Sequence, residues 1–171
     1  GGGRLYFVAG ERWSPGHRIY VSDGTGSGTR LLFGGPAHPF DCVAGSLAYR
    51  DGLLYVIEFQ AGYRLWRTDG SLEQTFVLHP FFDHPSGFEF SGAHRFLPDG
   101  TLVFLACAAA SMVNCEPWRT DGTVSGTYPL ADLAPGAASS YAQGFVEVGE
   151  ELWFEAQPAS DSVAQWRPRL A

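Results

Sequence analysis

The chain carries four copies of one sequence pattern, and this repeat constrains the fold more than any other feature of its 171 residues. A five-residue apolar segment that begins with leucine recurs at intervals of 49, 48 and 50 residues, at residues 5–9, 54–58, 102–106 and 152–156. A second segment, with a central aromatic residue, follows at residues 18–24, 64–70, 116–122 and 164–168. Since a period of about 20–50 residues is typical of stacked repeats, we predict one repeat domain, residues 1–171, with units at roughly 1–45, 46–93, 94–143 and 144–171.

Each unit is predicted to be an antiparallel meander of four strands, a to d. The apolar segment is strand b and the aromatic segment is strand c, because both alternate with a period of two between clusters of Gly, Asp and Pro. Strand d is expected at residues 29–33, 75–79 and 127–131, and strand a at residues 46–50, 94–97 and 145–148. Fourteen strands result, since the first unit lacks strand a and the last unit lacks strand d.

Successive four-stranded meanders predict an all-β fold, a small β-propeller-like ring of about four blades built from repeats of about 49 residues. The two missing strands leave three alternatives open. The chain is part of a longer array, a four-bladed ring closes with incomplete blades, or a second chain completes the sheets. Open sheet edges would also allow self-association, because their unpaired backbone groups can accept a further strand.

The turn between strands c and d has the frame Ser/Thr-Asp-Gly-Ser/Thr-x-x-Gly/Gln-Thr in three units. Its first acidic and glycine residues are Asp23 and Gly24, Asp69 and Gly70, and Asp121 and Gly122. We expect each carboxylate to accept hydrogen bonds from backbone N–H groups one to three residues further on, and the glycine to take a positive φ. The later glycine is expected to be left-handed as well, except where Gln74 replaces it. A calcium or sugar site at each Asp is the alternative, although calcium takes roughly 6–8 oxygens.

Taken together, these segments resemble the bacterial ELWxxDGT repeat family. The pattern is Leu-Tyr-Phe-x-Ala, then Leu-Trp-Arg-Thr-Asp-Gly-Thr-x-x-Gly-Thr, then the tail Ala-Asp-Leu-Ala-Pro-Gly-Ala-Ala-Ser-Ser of residues 131–140. The resemblance covers nearly the whole chain. It implies propeller blades in an exported bacterial protein, extracellular, periplasmic or at the cell surface. The family has no established general enzymatic activity that the resemblance could carry over. The family's Glu survives only as Glu116, and the Pro-Gly-x-x-Ser-Ser tail is intact only at residues 135–140.

Composition excludes two classes of partner. The net charge is −7, all eleven basic residues are Arg and no basic run is present, which opposes the counterion release that drives nucleic-acid binding. Apolar stretches such as residues 102–110 are far shorter than the roughly 20 residues that a membrane helix needs. The opening Gly1-Gly2-Gly3 does not resemble a signal peptide, so we expect a mature or excised piece.

The three cysteines divide into an expected pair and a single residue. Cys107 ends strand b of the third unit and Cys115 begins its strand c, so the hairpin can bring them opposite each other across residues 108–114. We expect a disulfide there, with two free thiols as the alternative, and a disulfide would indicate an oxidising compartment outside the cytoplasm. Cys42 is left over, as a buried thiol or in a bond between molecules. The cysteines lack zinc-ligand spacing, and apart from the calcium alternative we expect no metal or cofactor.

Candidate ligand-contacting residues lie in two kinds of loop. His79, Asp83 and His84 fall within six residues of the loop that leaves the second unit, where solvated loop histidines and a metal site are the two interpretations. Trp13 and Tyr63 occupy the b-to-c loops of the first two units, where they would either anchor the loop or form a stacking platform for a sugar or a protein.

Candidate catalytic groups are few. Glu58 and Glu155 occupy neighbouring places in strand b of different units and are expected to point the same way, which would suit glycoside hydrolysis if the carboxylates lie about 5–9.5 Å apart. The strand-c residues Trp66, Trp118 and Trp166 are expected to pack between blades. The sequence therefore favours a non-enzymatic module that contacts a protein or glycan through surface loops. The alternatives are a carbohydrate-binding lectin and a glycan hydrolase.

Overall fold

The computed structural model describes residues 3–10, 18–33, 43–59, 63–71, 73–81, 94–109, 113–149, 151–157 and 164–166. These residues form fourteen strands and no helix, which confirms the predicted all-β class. The strands are β1 Leu5–Ala9, β2 Arg18–Ser22, β3 Arg30–Phe33, β4 Val43–Arg50, β5 Leu53–Phe59, β6 Tyr63–Thr68, β7 Phe76–Phe81, β8 His94–Phe96, β9 Leu102–Ala109, β10 Val113–Thr120, β11 Tyr128–Pro129, β12 Gln143–Val148, β13 Glu151–Ala156 and β14 Ala164–Trp166.

The strands form four antiparallel meanders in chain order, β1-β2-β3, β4-β5-β6-β7, β8-β9-β10-β11 and β12-β13-β14. This order of three, four, four and three strands is the one that the repeat predicts. The predicted b and c strands pair in register, for example with Val56 opposite Trp66 in the second sheet and Phe104 opposite Trp118 in the third. The chain divides into two compact parts, the N-terminal half Gly1–Pro80 and the C-terminal half Phe81–Ala171, and each half contains two of the sheets.

In the N-terminal half, sheets one and two pack face to face. Residues from both sheets form one core cluster, comprising Ile19, Val21, Leu32, Leu54, Val56 and Trp66, with Tyr6, Val8, Leu47, Tyr49 and Val77 packed against it. Tyr6 and Tyr49 stack across the two sheets with ring centroids 4.7 Å apart. Trp66 therefore packs between sheets, as predicted.

In the C-terminal half, sheets three and four pack in the same way. Their shared cluster comprises Leu97, Val103, Leu133, Ala142, Phe145, Leu152, Phe154 and Ala156. Trp118 is buried as well, whereas the side chain of Trp166 lies outside the described part of the structure.

The two clusters reveal one rule for the faces of strand b. The second and fourth residues of its five-residue segment pack toward the sheet that follows, as Tyr6 and Val8 do in the first sheet and Val103 and Leu105 do in the third. The first and third residues pack toward the preceding sheet, as Leu54 and Val56 or Leu152 and Phe154 do. Side chains that alternate across a strand allow one strand to serve two interfaces.

One predicted strand is much shorter than expected. Residues 127–131 were expected to form strand d of the third unit, but β11 contains only Tyr128–Pro129. Pro129 has no N–H for the sheet, and Leu130 makes one further in-register bond by donating its N–H to Pro117 O at 2.7 Å. The following residues leave the edge of the sheet and reach Glu116, as described below.

Candidate functional site

The Asp-Gly turns have a closed hydrogen-bond network. In the third unit, Asp121 Oδ1 accepts the N–H of Thr123 at 2.9 Å and its hydroxyl at 2.7 Å. Thr120 Oγ1 accepts the N–H of Gly122 at 3.0 Å and lies 2.7 Å from Thr127 Oγ1. Since the Thr127 hydroxyl donates its single proton to Thr123 O at 2.6 Å, the proton between the two threonines comes from Thr120.

The first and second units repeat this network. The hydroxyl two residues after the aspartate lies 2.7 Å from Oδ1 of Asp23, Asp69 and Asp121 alike. The cross-hairpin hydroxyl pairs, Ser22 with Thr29 and Thr68 with Thr75, lie 2.7 and 2.8 Å apart. The predicted role of the aspartate as a turn staple therefore agrees with the geometry of all three turns.

The later glycine of the frame has a different purpose from the one predicted. Gly24, Gly70 and Gly122 have the expected positive φ, but Gly28 and Gly126 do not. Instead, a Cβ at Gly28 or Gly126 would lie 2.0 or 2.1 Å from the carboxylate of the turn aspartate. In these two turns the carboxylate fills the space that a side chain would take, whereas the second turn has Gln74 at this place and keeps the same Asp69 hydrogen bonds. Where Gln74 takes this place, its N–H lies 3.3 Å from the Ser71 hydroxyl, against 2.9 Å in the other two turns.

The same hydrogen bonds keep the turn carboxylates ionised. The pKa of Asp23 and of Asp121 is lowered from 3.8 chiefly by the hydroxyl of the threonine two residues on, and that of Asp69 chiefly by the N–H of Ser71. Each turn has one such carboxylate. Across the described ranges, no three His, Cys, Asp or Glu side chains are grouped so that they could hold a metal ion.

Glu116 is a buried carboxylate that holds a loop from its own unit. It lies on β10, and its two oxygens accept the N–H groups of Leu133 at 2.9 Å and Ala134 at 3.2 Å. Hydrogen bonds from two backbone donors stabilise a carboxylate that is removed from water. Glu116 and the tail segment of residues 131–136 therefore interact directly in this unit.

The tail continues along the outer edge of β10. Asn114 donates its N–H to Ala137 O at 3.2 Å, and Cys115 donates its N–H to the Ser139 hydroxyl at 3.0 Å. Ser140 returns both its N–H and its hydroxyl to Cys115 O, at 2.9 and 3.0 Å. Ser140 O then accepts the N–H of Gln157 at 2.6 Å, so the tail joins the third sheet to the segment after β13.

The predicted disulfide joins Cys107 of β9 to Cys115 of β10. The two cysteines are directly opposite each other in the register of these strands. Cys115 directs its N–H and C=O away from β9 toward the tail, so the disulfide bridges a place where the two strands do not exchange hydrogen bonds. Cys42 lies outside the described residues.

The expectation that Glu58 and Glu155 point the same way is wrong. Glu58 is fully buried, whereas Glu155 is exposed. Glu58 is the fifth residue of its segment and Glu155 the fourth, so the alternation of strand b directs them to opposite faces. The last unit has the buried Ala156 at the place of Glu58. Glu58 accepts the indole N–H of Trp66 and lies 3.8 Å from the Arg64 guanidinium, so it is engaged inside the second sheet.

The remaining candidates are described only in part. His79 lies on β7, half-buried, and desolvation lowers its pKa from 6.5. Asp83, His84 and Trp13 lie outside the described residues, as does the side chain of Tyr63. The expectation that Tyr63 lies in the b-to-c loop is wrong, because it is the first residue of β6 and pairs with Phe59. The predicted His79 cluster and the predicted aromatic platform therefore stay predictions.

Glu116 and the serines of the tail form the site that sequence reasoning missed. One signal was available, because Glu116 and the complete Pro-Gly-x-x-Ser-Ser segment occur in the same repeat unit and both are missing from the other three. Two features that occur together in one unit suggest a contact between them, and the structure shows that contact.

Comparison with known proteins does not assign a family. No protein-family model matches the chain, and no curated protein matches it. Among solved structures, the chain is similar to the computationally designed Ika4 protein, with 16% identity over 95% of this chain and 84% of that chain and a TM-score of 0.45. It is also similar to a GH130-family glycoside hydrolase that targets β-1,2 mannosidic linkages in Candida mannan, with 12% identity over 97% of this chain and a TM-score of 0.34. The chain spans 61% of that hydrolase, and TM-scores below 0.5 do not establish a shared fold.

The described residues contain no helix with the length and hydrophobicity that crossing a membrane requires.

Proposed function

We propose that this chain is a non-enzymatic binding or scaffolding module of an exported bacterial protein, built from blade-like repeats of the ELWxxDGT type. The observation that carries the proposal is the use of the acidic residues. Asp23, Asp69 and Asp121 hold the turns between strands c and d, and Glu116 holds the tail of the third unit. These carboxylates accept hydrogen bonds from their own loops and therefore act as structural groups.

The stapled turns support a role in presenting a surface. Each turn places exposed polar side chains at the tip of a c-to-d hairpin, and the hydroxyl pair at its base fixes the two strands. Binding residues are often found on loops that a rigid scaffold positions. Repetition of one rigid turn in three sheets is therefore suited to contact with a protein or a glycan.

The Cys107–Cys115 disulfide supports the proposed location of the module. Disulfides persist in secreted, periplasmic and surface proteins, whereas the cytosol keeps most thiols reduced. Burial of Cys115 within the third sheet is consistent with a structural bond. We therefore propose an extracellular, periplasmic or surface location.

A carbohydrate-binding lectin is the second candidate. Two tyrosine rings, Tyr128 and Tyr141, are exposed in the third repeat unit, and the face of an aromatic ring suits contact with the apolar face of a sugar. Arg119 stacks over the Tyr128 ring at 5.4 Å and holds it in place.

A glycan array combined with a turnover assay tests the proposal. The purified chain is applied to the array and is incubated separately with a panel of aryl glycosides and oligosaccharides. Saturable retention without release of product supports a glycan-binding module, and Tyr141→Ala should weaken it. Absence of retention would leave a protein as the ligand class. Turnover that is lost in Glu155→Gln would contradict the proposal and favour a hydrolase.

A further inference from the structure

The leucine that begins strand b shows that one sheet face lacks its covering. In three units this leucine is buried, with exposures of 2% at Leu54 and 0% at Leu102 and Leu152. The equivalent Leu5 of the first sheet is 61% exposed. At Leu54 and Leu152 this position packs toward the preceding sheet. Leu5 therefore belongs to an interface for which the described residues of Gly1–Pro80 supply no covering sheet.

The residues around Leu5 extend the same face. Tyr6 and Val8 point to the second sheet, so Leu5 and Phe7 point to the opposite side. Tyr20 is opposite Phe7 in the register, and their rings stack with centroids 5.6 Å apart. The neighbouring Leu31 on β3 is also exposed, and Arg18 on β2 adds one exposed positive charge. We call Leu5, Phe7, Arg18, Tyr20 and Leu31 the first-sheet face.

The fourth sheet has a complementary open face. Leu152 and Phe154 pack toward the third sheet, so Trp153 and Glu155 point away from it. On the neighbouring β12, Val146 and Val148 are opposite Trp153 and Glu151, and they are 44% and 51% exposed. The indole N–H of Trp153 donates to Glu151 at 3.0 Å. We call Val146, Val148, Glu151, Trp153 and Glu155 the last-sheet face.

The two faces match the halves of an interface that the chain already forms twice. Within each half of the chain, the second and fourth residues of one strand-b segment pack on the first and third residues of the next. The last-sheet face carries the second and fourth residues of its segment, and the first-sheet face carries the first and third. In the interface of the N-terminal half, Val8 is the fourth residue of its segment and Val56 the third, and both belong to one core cluster. A copy of that interface would bring Glu155 near Arg18, which stands opposite Ala9 at the fifth position.

We propose that the first-sheet face of one molecule packs on the last-sheet face of a second molecule, so that copies of this chain associate head to tail. Apolar surface is covered on both sides, and the exposed carboxylate of Glu155 meets the exposed guanidinium of Arg18. The contact uses sheet faces and not the sheet edges that the sequence suggested. It joins two different surfaces, so it leads to closed rings or open filaments and not to a two-fold dimer. The inference does not depend on the proposed binding function.

Sedimentation equilibrium of the 171-residue chain over a wide range of concentrations tests the inference. All proteins carry Cys42→Ser, so that no disulfide between molecules contributes. We expect association that rises with concentration. Leu5→Asp should weaken it by about tenfold or more, because it replaces an apolar side chain that becomes buried with a charge. Val124→Asp is the matched control, since Val124 is 60% exposed at a turn tip outside both faces, and it should leave association unchanged.

Mixing distinguishes head-to-tail from two-fold contact. Leu5→Asp disables the first-sheet face and Val148→Asp disables the last-sheet face, so each variant alone should be monomeric. A one-to-one mixture should form a dimer and nothing larger, because one functional pair of faces remains. Dimers of Val148→Asp alone would show that first-sheet faces pair with each other, and this would overturn the proposal.

Charge reversal tests the predicted ion pair. Arg18→Glu and Glu155→Arg should each weaken association, and the double variant should recover most of it, because the two charges are then exchanged across every contact. Both side chains are exposed, so circular dichroism should show an unchanged fold. A wild-type chain that stays monomeric at every concentration, or a double variant weaker than both single variants, would overturn the inference.

Discussion

Replacement of Gly126 by alanine should destabilise the third turn through a collision with a carboxylate. An ideal Cβ at Gly126 would lie 2.1 Å from Asp121 Oδ1, so either the Asp121 side chain rotates away or the turn adopts the arrangement of the second turn, where Gln74 is compatible with the Asp69 hydrogen bonds. Rotation breaks the hydrogen bonds from the Thr123 N–H and hydroxyl, which are 2.9 and 2.7 Å long. The φ of Gly126 is not in the left-handed region, so the alanine backbone itself is not strained.

The size of the effect follows from three contributions. A hydrogen bond to a buried charged group contributes about 1.5–3 kcal/mol. Asp121 is largely exposed, and water compensates much of the loss, so we expect the two bonds together to contribute about 1–2 kcal/mol. Alanine also lowers the entropy of the unfolded chain and returns about 0.4–1 kcal/mol. A net loss of about 1 kcal/mol should lower the melting temperature by roughly 2–4 °C in a chain of this size.

A double-mutant cycle measured by differential scanning calorimetry checks the mechanism. Gly126→Ala, Asp121→Ala and the double variant are compared with the wild type, and the cost of the alanine should largely disappear once the carboxylate is absent. Gly26→Ala is the matched control, because a Cβ there meets no atom within 4 Å and the φ of Gly26 is not left-handed. An equal cost of Gly126→Ala in both backgrounds would refute the reasoning, since the strain would then come from the backbone.

Four further outcomes are expected. Joint Cys107→Ser and Cys115→Ser substitution should lower the free energy of unfolding in urea by about 2–3 kcal/mol, by the chain entropy of a short loop. Folding lowers the pKa of Asp121 from 3.8, so its contribution to stability is complete well above pH 3.8 and is lost as the pH falls below it. In Asp121→Asn, the midpoint of urea unfolding should therefore depend less on pH in that range. The pKa of His79 is lowered from 6.5, so stability falls as the pH drops below 6.5, and His79→Gln should reduce that fall between pH 7.5 and 5. Glu116→Gln should speed amide hydrogen exchange at residues 133–134, measured by mass spectrometry.

The order of strands and the Asp-Gly staples could be predicted because their causes are local. Alternation within five residues determines which faces of a strand are apolar, and each Asp contacts a residue only two positions ahead. The close approach of Asp121 to Gly126 could not be found in this way. Glycine at that place is compatible with either a positive φ or a close contact, and only the position of the Asp121 carboxylate distinguishes them.

The tail of the third unit shows the limit of local reasoning. Its residues contact strand β10 across a separation of 17 to 25 residues, as in the bonds from Leu133 to Glu116 and from Ser140 to Cys115. A period-two pattern cannot reveal such a partner, and it predicted a longer strand d instead. Pro129 was a local sign of an early end, although β7 continues past Pro80.

A buried glutamate at one rung of the repeat has two different environments, and this explains why the residue type alone did not reveal its role. Glu58 stands opposite Arg64, and Glu116 stands opposite Ala106, at equivalent rungs of the second and third sheets. Both oxygens of Glu116 accept backbone N–H groups, whereas no described group donates to Oε1 of Glu58. Glu116→Gln would turn an amide N–H against a buried N–H, at a cost of about 1–3 kcal/mol. Glu58→Gln keeps an acceptor for the indole of Trp66 and removes a buried charge, while Arg64, 39% exposed, stays hydrated, so stability should change little. Urea unfolding of both variants checks this difference, and a larger loss in Glu58→Gln would show that the Arg64 ion pair dominates.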